Sequence, residues 1–190
     1  MPREFELKLH LPARHAPGFR HEPLLVSLAR GPVRRQRLRA IYFDSADRRL
    51  SAAGIACRVR KAGRRWYQTI KLPQGIVSAN VHEEIERAVA GPALELSRAE
   101  IVRLERATEG TVDPASLSPV FETRVERTIW PLRLIETDIE LVYDRGRILV
   151  GGRSERISEV EIELQTGRGG RVFELALSLF LAHYTSWWVA

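Results

Sequence analysis

Cysteine is almost missing: the 190 residues include one, Cys57, so no disulfide can close within the chain. Lysine is nearly as scarce. Only Lys8, Lys61 and Lys71 stand among 30 basic residues, the other 27 being arginine. An arginine excess of that size reflects genomic bias, and a position that keeps lysine against it carries more information than usual. Long uninterrupted apolar runs are absent as well. The longest candidate, Val172 to Ala190, is broken by Glu174, His183 and several Ser and Thr residues, which excludes a membrane-spanning helix. The chain opens with charge from Arg3 onward instead of an apolar signal segment, so a cytoplasmic protein is expected. No repeat, linker or low-complexity stretch divides it. A single domain over residues 1–190 is therefore expected, large enough to bury a real core. The net charge of +6 and pI near 10.1 imply an anionic partner without naming it.

What is present is alternation. Glu4-Phe5-Glu6-Leu7-Lys8-Leu9 places Glu4, Glu6 and Lys8 on one face of a strand and Phe5, Leu7 and Leu9 on the other. The same device returns as Glu159-Val160-Glu161-Ile162-Glu163-Leu164. Either strand alone reads as a half-exposed edge with a wet, charged face. Two together stack like charges that repel unless something cationic sits against them. Oxygen-only donors favour a hard cation, magnesium, manganese or calcium, over zinc.

In chain order, Phe19 to Arg30 reads as a helix and Leu38 to Phe43 as a strand entered through the basic run Arg34, Arg35, Arg37 and Arg39. That run is a solvated face, a nonspecific nucleic-acid patch or, through one member, a phosphate contact. Ser45 to Gly54 is a connector. Ile55 to Arg60 and Arg65 to Leu72 then form a hairpin with one cationic face, Arg58 and Arg60 on one strand and Thr69 and Lys71 on the other. Strand-like alternation resumes at Val81 to Arg87 with Glu84 and Glu86. Ser97-Arg98-Ala99-Glu100 is a capping box that opens a scaffold helix ending near Gly110. Further strands follow from Val120 and over Leu134 to Tyr143, with Asp144-Arg145-Gly146-Arg147 read as a tight turn. A final helix covers Val172 to about Leu181.

About eight strands and three helices result, most strands apolar on one face and charged on the other. The expected fold is α+β: a closed eight-stranded antiparallel β-barrel, or tunnel, with a charged interior and helices packed outside. Such an interior requires a highly charged ligand. Acids at Glu4, Glu6, Glu159, Glu161 and Glu163 with bases at Lys8, Arg58, Arg60, Lys71 and Arg127 suit one that brings both metal ions and several phosphates.

At this point the chain resembles the CYTH, or triphosphate tunnel metalloenzyme, superfamily, whose mark is an ExExK strand near the N-terminus. Glu4-Phe5-Glu6-Leu7-Lys8 matches it. The likeness continues in order through Tyr42-Phe43-Asp44-Ser45, Gly54 with Arg58-Val59-Arg60, Trp66 with Thr69-Ile70-Lys71, and Glu84 with Glu86. Phe121, Thr123, Arg127 and Trp130, then Asp144 with Gly146, and the strand Glu159 to Leu164 complete it, over roughly residues 2 to 180. The resemblance implies an eight-stranded tunnel that binds a triphosphate with Mg2+ or Mn2+. It implies Glu4, Glu6, Glu159 and Glu161 as metal ligands, with Glu84, Asp144 and Glu163 as helpers. Lys8, Arg58, Arg60, Lys71 and Arg127 would hold phosphates, and Lys8, Glu6 and Glu161 would be the catalytic set. The bacterial inorganic triphosphatase branch is the most similar, which implies hydrolysis of tripolyphosphate to pyrophosphate and orthophosphate by a metal-activated water.

Three departures accompany the likeness: His82 where the family often has Arg, Ser45 where Thr is common, and Leu181 to Ala190 offering only His183 where a basic segment is usual. No helical histidine-rich domain of the kind fused in this branch follows, so a catalytic module standing alone is expected. The rival readings are a class IV adenylyl cyclase, a thiamine or nucleoside triphosphatase, a polyphosphate-binding module without turnover, and an RNA-binding barrel. The last lacks interleaved aromatics for base stacking. Expected partners are thus a small-molecule triphosphate, with no specific nucleic acid and no membrane. A homodimer is one option that the sequence leaves open.

Overall fold

The structure, a computed structural model, describes the backbone of residues 3–12, 14–73 and 81–185 and the side chains of residues 5–12, 14–73 and 83–181. Eight strands and five helices are described: β1 (Arg3–His10), α1 (Ala16–Phe19), α2 (Pro23–Leu28), β2 (Arg34–Asp44), α3 (Arg49–Ala52), β3 (Ala56–Ala62), β4 (Arg65–Pro73) and β5 (Val81–Val89). They continue with α4 (Arg98–Ala107), β6 (Ser118–Leu134), β7 (Thr137–Val150), β8 (Arg153–Thr166) and α5 (Gly170–Thr185). The class is α+β, with a curled antiparallel sheet and few helices, as expected.

Contacts gather into two compact units, Met1–Arg3 with Gln36–Val125 and Gly146–Arg156, and Glu4–Arg35 with Glu126–Arg145 and Ile157–Ala190. In the first, β2, β3, β4 and β5 are successive antiparallel neighbours. Alternation sends Phe43, Cys57, Val59, Ile70 and Leu72 to one face, where they pack with Leu50 of α3 and Leu104 of α4. The opposite face carries the charges. Ser97 caps α4 by accepting from the Glu100 backbone, and the Glu100 carboxylate accepts in return from the Ser97 backbone N–H, the capping box read from sequence.

In the second unit β8 lies between β7 and β1, and β1 pairs antiparallel with it. The register sets Glu6 opposite Glu163, Leu7 opposite Ile162, Lys8 opposite Glu161 and His10 opposite Glu159. Val160 and Ile162 pack with Leu141 and Tyr143 of β7 under Val172, Leu175 and Leu179 of α5. A period of two thus buries one face of each strand under helices and leaves its carboxylates on the other.

Four local expectations are corrected. The helix over Phe19 to Arg30 is two short ones, because Pro23 holds Glu22 extended (φ −58°, ψ 119°) and then starts α2. The connector Ser45 to Gly54 contains α3, tied down by Asp44, whose carboxylate accepts from the backbone N–H groups of Ser45, Leu50 and Ser51. The turn placed at Asp144 to Arg147 lies inside β7, which runs on to Val150. There Gly146 serves close approach: a Cβ on it would stand 2.1 Å from the Arg124 carbonyl oxygen. The strand expected to begin at Leu134 begins at Thr137, and the intervening turn carries Glu136 at φ 53°.

Candidate functional site

In the second unit the hub is the Glu161 carboxylate. Its Oε1 lies 2.8 Å from Lys8 Nζ, placed there by the β1–β8 register, and its Oε2 accepts from Arg127 Nη2 at 2.8 Å. Arg127, from β6, also donates through Nε and Nη2 to the two oxygens of Asp144 on β7, at 2.8 and 2.6 Å. Lys8 reaches Glu159 Oε2 as well, at 3.5 Å. A continuous chain of opposite charges therefore runs Asp144, Arg127, Glu161, Lys8, Glu159.

Electrostatics follow this geometry. Burial works to lower the Lys8 pKa, but the charge and hydrogen bond of Glu161, joined by Glu159 and Glu6, outweigh it and hold the ammonium above its ordinary value. Arg127 is likewise raised. Burial opposes its charge, and the Asp144 hydrogen bonds with the charges of Glu161, Asp144 and Glu163 overcome it. Both groups stay cationic at any pH at which the protein would work.

In the first unit Arg58 and Arg60 of β3 and Lys71 of β4 project from the charged face with 19, 19 and 17 % of their side-chain surface exposed. The register aligns Tyr42, Arg58, Thr69 and Glu86 in one cross-strand row. Arg58 lies 3.9 Å from Glu84, Lys71 3.5 Å from the same carboxylate, and Arg60 3.0 Å from Glu86. Thr69 Oγ1 donates to Glu86 Oε2 at 3.0 Å. Tyr42 stacks on Phe121 with centroids 4.4 Å apart, and Arg58 Nη1 donates to its hydroxyl at 3.5 Å.

The structure thus brings together Lys8, Arg127, Asp144, Glu159 and Glu161, with Glu6 and Glu163 opposite one another on the adjoining strands. Separately it brings together Arg58, Arg60, Lys71 and Glu84. The side chains of Glu4, His82 and His183 lie outside the described residues. Of the basic run, Arg34 is paired with Glu140 and Arg39 with Glu122. Two participants were not among the expected site residues. Both are signalled as motif positions of the family resemblance, Glu86 beside Glu84 and Tyr42 before Phe43 and Asp44, without a role in the site.

Among the described residues no three of His, Cys, Asp and Glu converge closely enough to hold a metal ion. In kind, the donors fit a hard cation, being carboxylate oxygens throughout. Lys8 and Arg127 sit on the carboxylate oxygens of Glu161.

An acidic pair of strands in one unit and a cationic hairpin in the other point to a class before they point to an activity. The model of the family described as the CYTH domain matches residues 2–185, and the chain belongs to that family. It is 28% identical over 139 residues to an inorganic triphosphatase of Haemophilus influenzae, a match that takes in 73% of this chain and 39% of the relative, so the chain spans about two fifths of that relative's length. Among solved structures it is similar to a candidate adenylate cyclase from Bacillus halodurans, with a TM-score of 0.64, 16% identity and coverage of 95% of this chain and 91% of the other. It is also similar to a candidate adenylyl cyclase from Hippeastrum in which triphosphatase activity dominates, with a TM-score of 0.61, 23% identity and coverage of 95% and 87%. At these identities the structures show the fold alone. No helix among the described residues is long and apolar enough to cross a membrane.

Proposed function

We propose that this chain is a divalent-metal-dependent inorganic triphosphatase that cleaves tripolyphosphate to pyrophosphate and orthophosphate. The reading is carried by one observation: three mostly buried cations, Arg58, Arg60 and Lys71, gather on one sheet face beside Glu84 and Glu86. Guanidinium and ammonium donors gathered on one face suit a chain of phosphates. The carboxylates of β1 and β8 suit a hard cation, and a metal–triphosphate complex brings both. The relative named an inorganic triphosphatase supports this choice of substrate.

In this proposal residues 1–190 act as one domain, the eight strands close into a tunnel, and both charged faces line it. Arg58, Arg60 and Lys71 hold phosphate oxygens, while Lys8 neutralises the charge that builds on the phosphoryl group as the terminal P–O bond breaks. Glu6, Glu159, Glu161 and Glu163, with Glu4, Glu84 and Asp144, are the residues that would hold Mg2+ or Mn2+. When bound, the cation supplies Lewis-acid polarisation of phosphate oxygens and a more acidic water. Glu6 and Glu161 would orient a water whose oxygen bonds to the terminal phosphorus as the P–O bond to pyrophosphate breaks, its released proton passing to a carboxylate. The partner is thus a small molecule, and the site of action is the cytoplasm.

Phosphate release from tripolyphosphate, ATP, thiamine triphosphate and pyrophosphate, each with Mg2+ or Mn2+, tests the reading, and the ATP product separates a cyclase from a hydrolase. Tripolyphosphate should be the best substrate and pyrophosphate poor, because it reaches fewer cations. No triphosphate hydrolysis above a Glu6→Gln control sinks the proposal.

A further inference from the structure

In the Arg127–Asp144 pair each member engages the other's donor or acceptor atoms. Of the five N–H bonds of a guanidinium, three are committed here. The Nε proton goes to Asp144 Oδ1, and the two Nη2 protons go to Asp144 Oδ2 and Glu161 Oε2. A forked grip on phosphate through Nε and Nη2 is therefore already spent on carboxylates. Asp144, 7 % exposed, has both oxygens taken in return. Glu161 is engaged on both oxygens as well, by Lys8 on one and Arg127 on the other. The two cations are not equally easy to move. Lys8 has half its side chain in solvent, whereas Arg127 is 18 % exposed and locked by its fork.

We propose that Arg127 is an internal competitor of the divalent cation, a fixed positive charge that occupies Asp144 and Glu161 in the metal-free protein and must yield them before the metal binds there. This rests on the reading of the acidic face as a metal site. The physical ground is that one carboxylate oxygen within hydrogen-bond distance of a guanidinium gives a metal less than the same oxygen unopposed, because the incoming charge meets the resident one. Three consequences follow. The protein is stable without metal, since its clustered acids already have counter-charges. Metal affinity is held below what the carboxylate count would give. And the Nε and Nη2 donors of Arg127 become available for phosphate only as metal takes over the acids, so metal precedes substrate.

Calorimetric titration of Mn2+ into the purified 190-residue chain without substrate tests this with no readout of turnover. Arg127→Met should bind Mn2+ about tenfold or more tightly than the wild type, and its melting temperature should rise more on adding Mn2+. Arg127→Lys, which keeps the charge, should stay near the wild-type affinity. Should Arg127→Met not fold, Arg127→Gln, which keeps a hydrogen-bonding head for Asp144, takes its place with the same expectation. Equal or weaker Mn2+ binding by the neutral variant, in protein that melts cooperatively, overturns the inference while leaving the triphosphatase reading intact. Absence of Mn2+ binding by the wild type and by the neutral variants alike overturns the reading of the acidic face as a metal site, and the inference with it.

Discussion

Replacing Glu100 by Gln is the sharpest test of what holds the cationic strand in place. Glu100 is 4 % exposed at the start of α4 and fastens that helix to the back of β4 and β5. Its carboxylate accepts from the Ser97 N–H at 2.7 Å, from Gln68 Nε2 at 3.1 Å and from Arg87 Nε and Nη2 at 3.1 and 3.3 Å. Gln68 is itself fully buried and also exchanges hydrogen bonds with the Glu95 backbone. An amide is isosteric but offers one acceptor oxygen where two are needed, so its NH2 group must face at least one of these donors. Losing half of the capping box costs about 1 kcal/mol, and losing a charge-assisted bond to Arg87 about 1.5–3 kcal/mol. The expected destabilisation is therefore about 2.5–4 kcal/mol, or roughly 5–16 °C in Tm for a chain of this size. The pH dependence adds a second reading. Burial works to raise the Glu100 pKa, but the bonds from Ser97 and Arg87 outweigh it and hold the folded value below the ordinary carboxylate range. Its contribution is therefore present above the unfolded pKa, near 4.3, and is lost as pH falls through the folded one. Urea unfolding at pH 7 and at stepwise lower pH should show a wild-type advantage that shrinks with acidification. A difference below about 0.5 kcal/mol at pH 7, or one that does not change with pH, refutes the reasoning.

Three further outcomes are expected. Lys8→Arg conserves charge but puts a wide planar fork where a point donor sits 2.8 Å from Glu161 and 3.5 Å from Glu159. It should lose about tenfold or more in tripolyphosphate turnover while melting normally, and near-normal turnover would mean that charge alone suffices. Lys8→Met should cost only about 0.5–1 kcal/mol in stability, because the side chain is half exposed. With the folded pKa raised, that cost is fully present below the unfolded lysine value and disappears only as pH climbs through the folded one, so melts between pH 6 and 9 should show a constant gap. Gly146→Ala forces a methyl group to 2.1 Å from the Arg124 carbonyl oxygen, and soluble yield and cooperative melting should both collapse. A well-folded Gly146→Ala protein would show that the two strands can part there at little cost.

Much of the fold was legible because period-two alternation is a direct imprint of a half-buried strand. β1, β3 and β4 could be read nearly to their ends, and β8 over Glu159 to Leu164 of its 14 residues. Turn chemistry was less readable. Asp144-Arg145-Gly146-Arg147 has the composition of a turn, yet Gly146 is not among the glycines with positive φ, and what it provides is room for a neighbouring backbone. Composition cannot separate those two uses of glycine, since both ask only that Cβ be missing. Pro23 was visible as well, but the apolar spacing of Leu24, Leu25 and Leu28 drew the helix across it. At the candidate site, the acids and bases were legible as faces. Their pairing was not, because Arg127 finds Asp144 across a strand register that no local pattern encodes.

That register also explains how so acidic a face can fold before any ligand arrives. On the β1–β8 ladder the pairs alternate in character: Glu6 opposite Glu163 is repulsive, whereas Lys8 opposite Glu161 is attractive. Moving the lysine two places toward the N-terminus would put the ammonium against Glu163 and leave Glu161 facing a carboxylate. The residue that Arg127 also touches would then lose its second cation. With Lys8 where it is, Glu161 joins two counter-charges from two different strands, and the face is neutralised at its centre. Glu6 and Glu163 flank that centre, where Lys8 feels the charge of Glu6 and Arg127 that of Glu163, so the same two cations also offset the like-charged pair beside them.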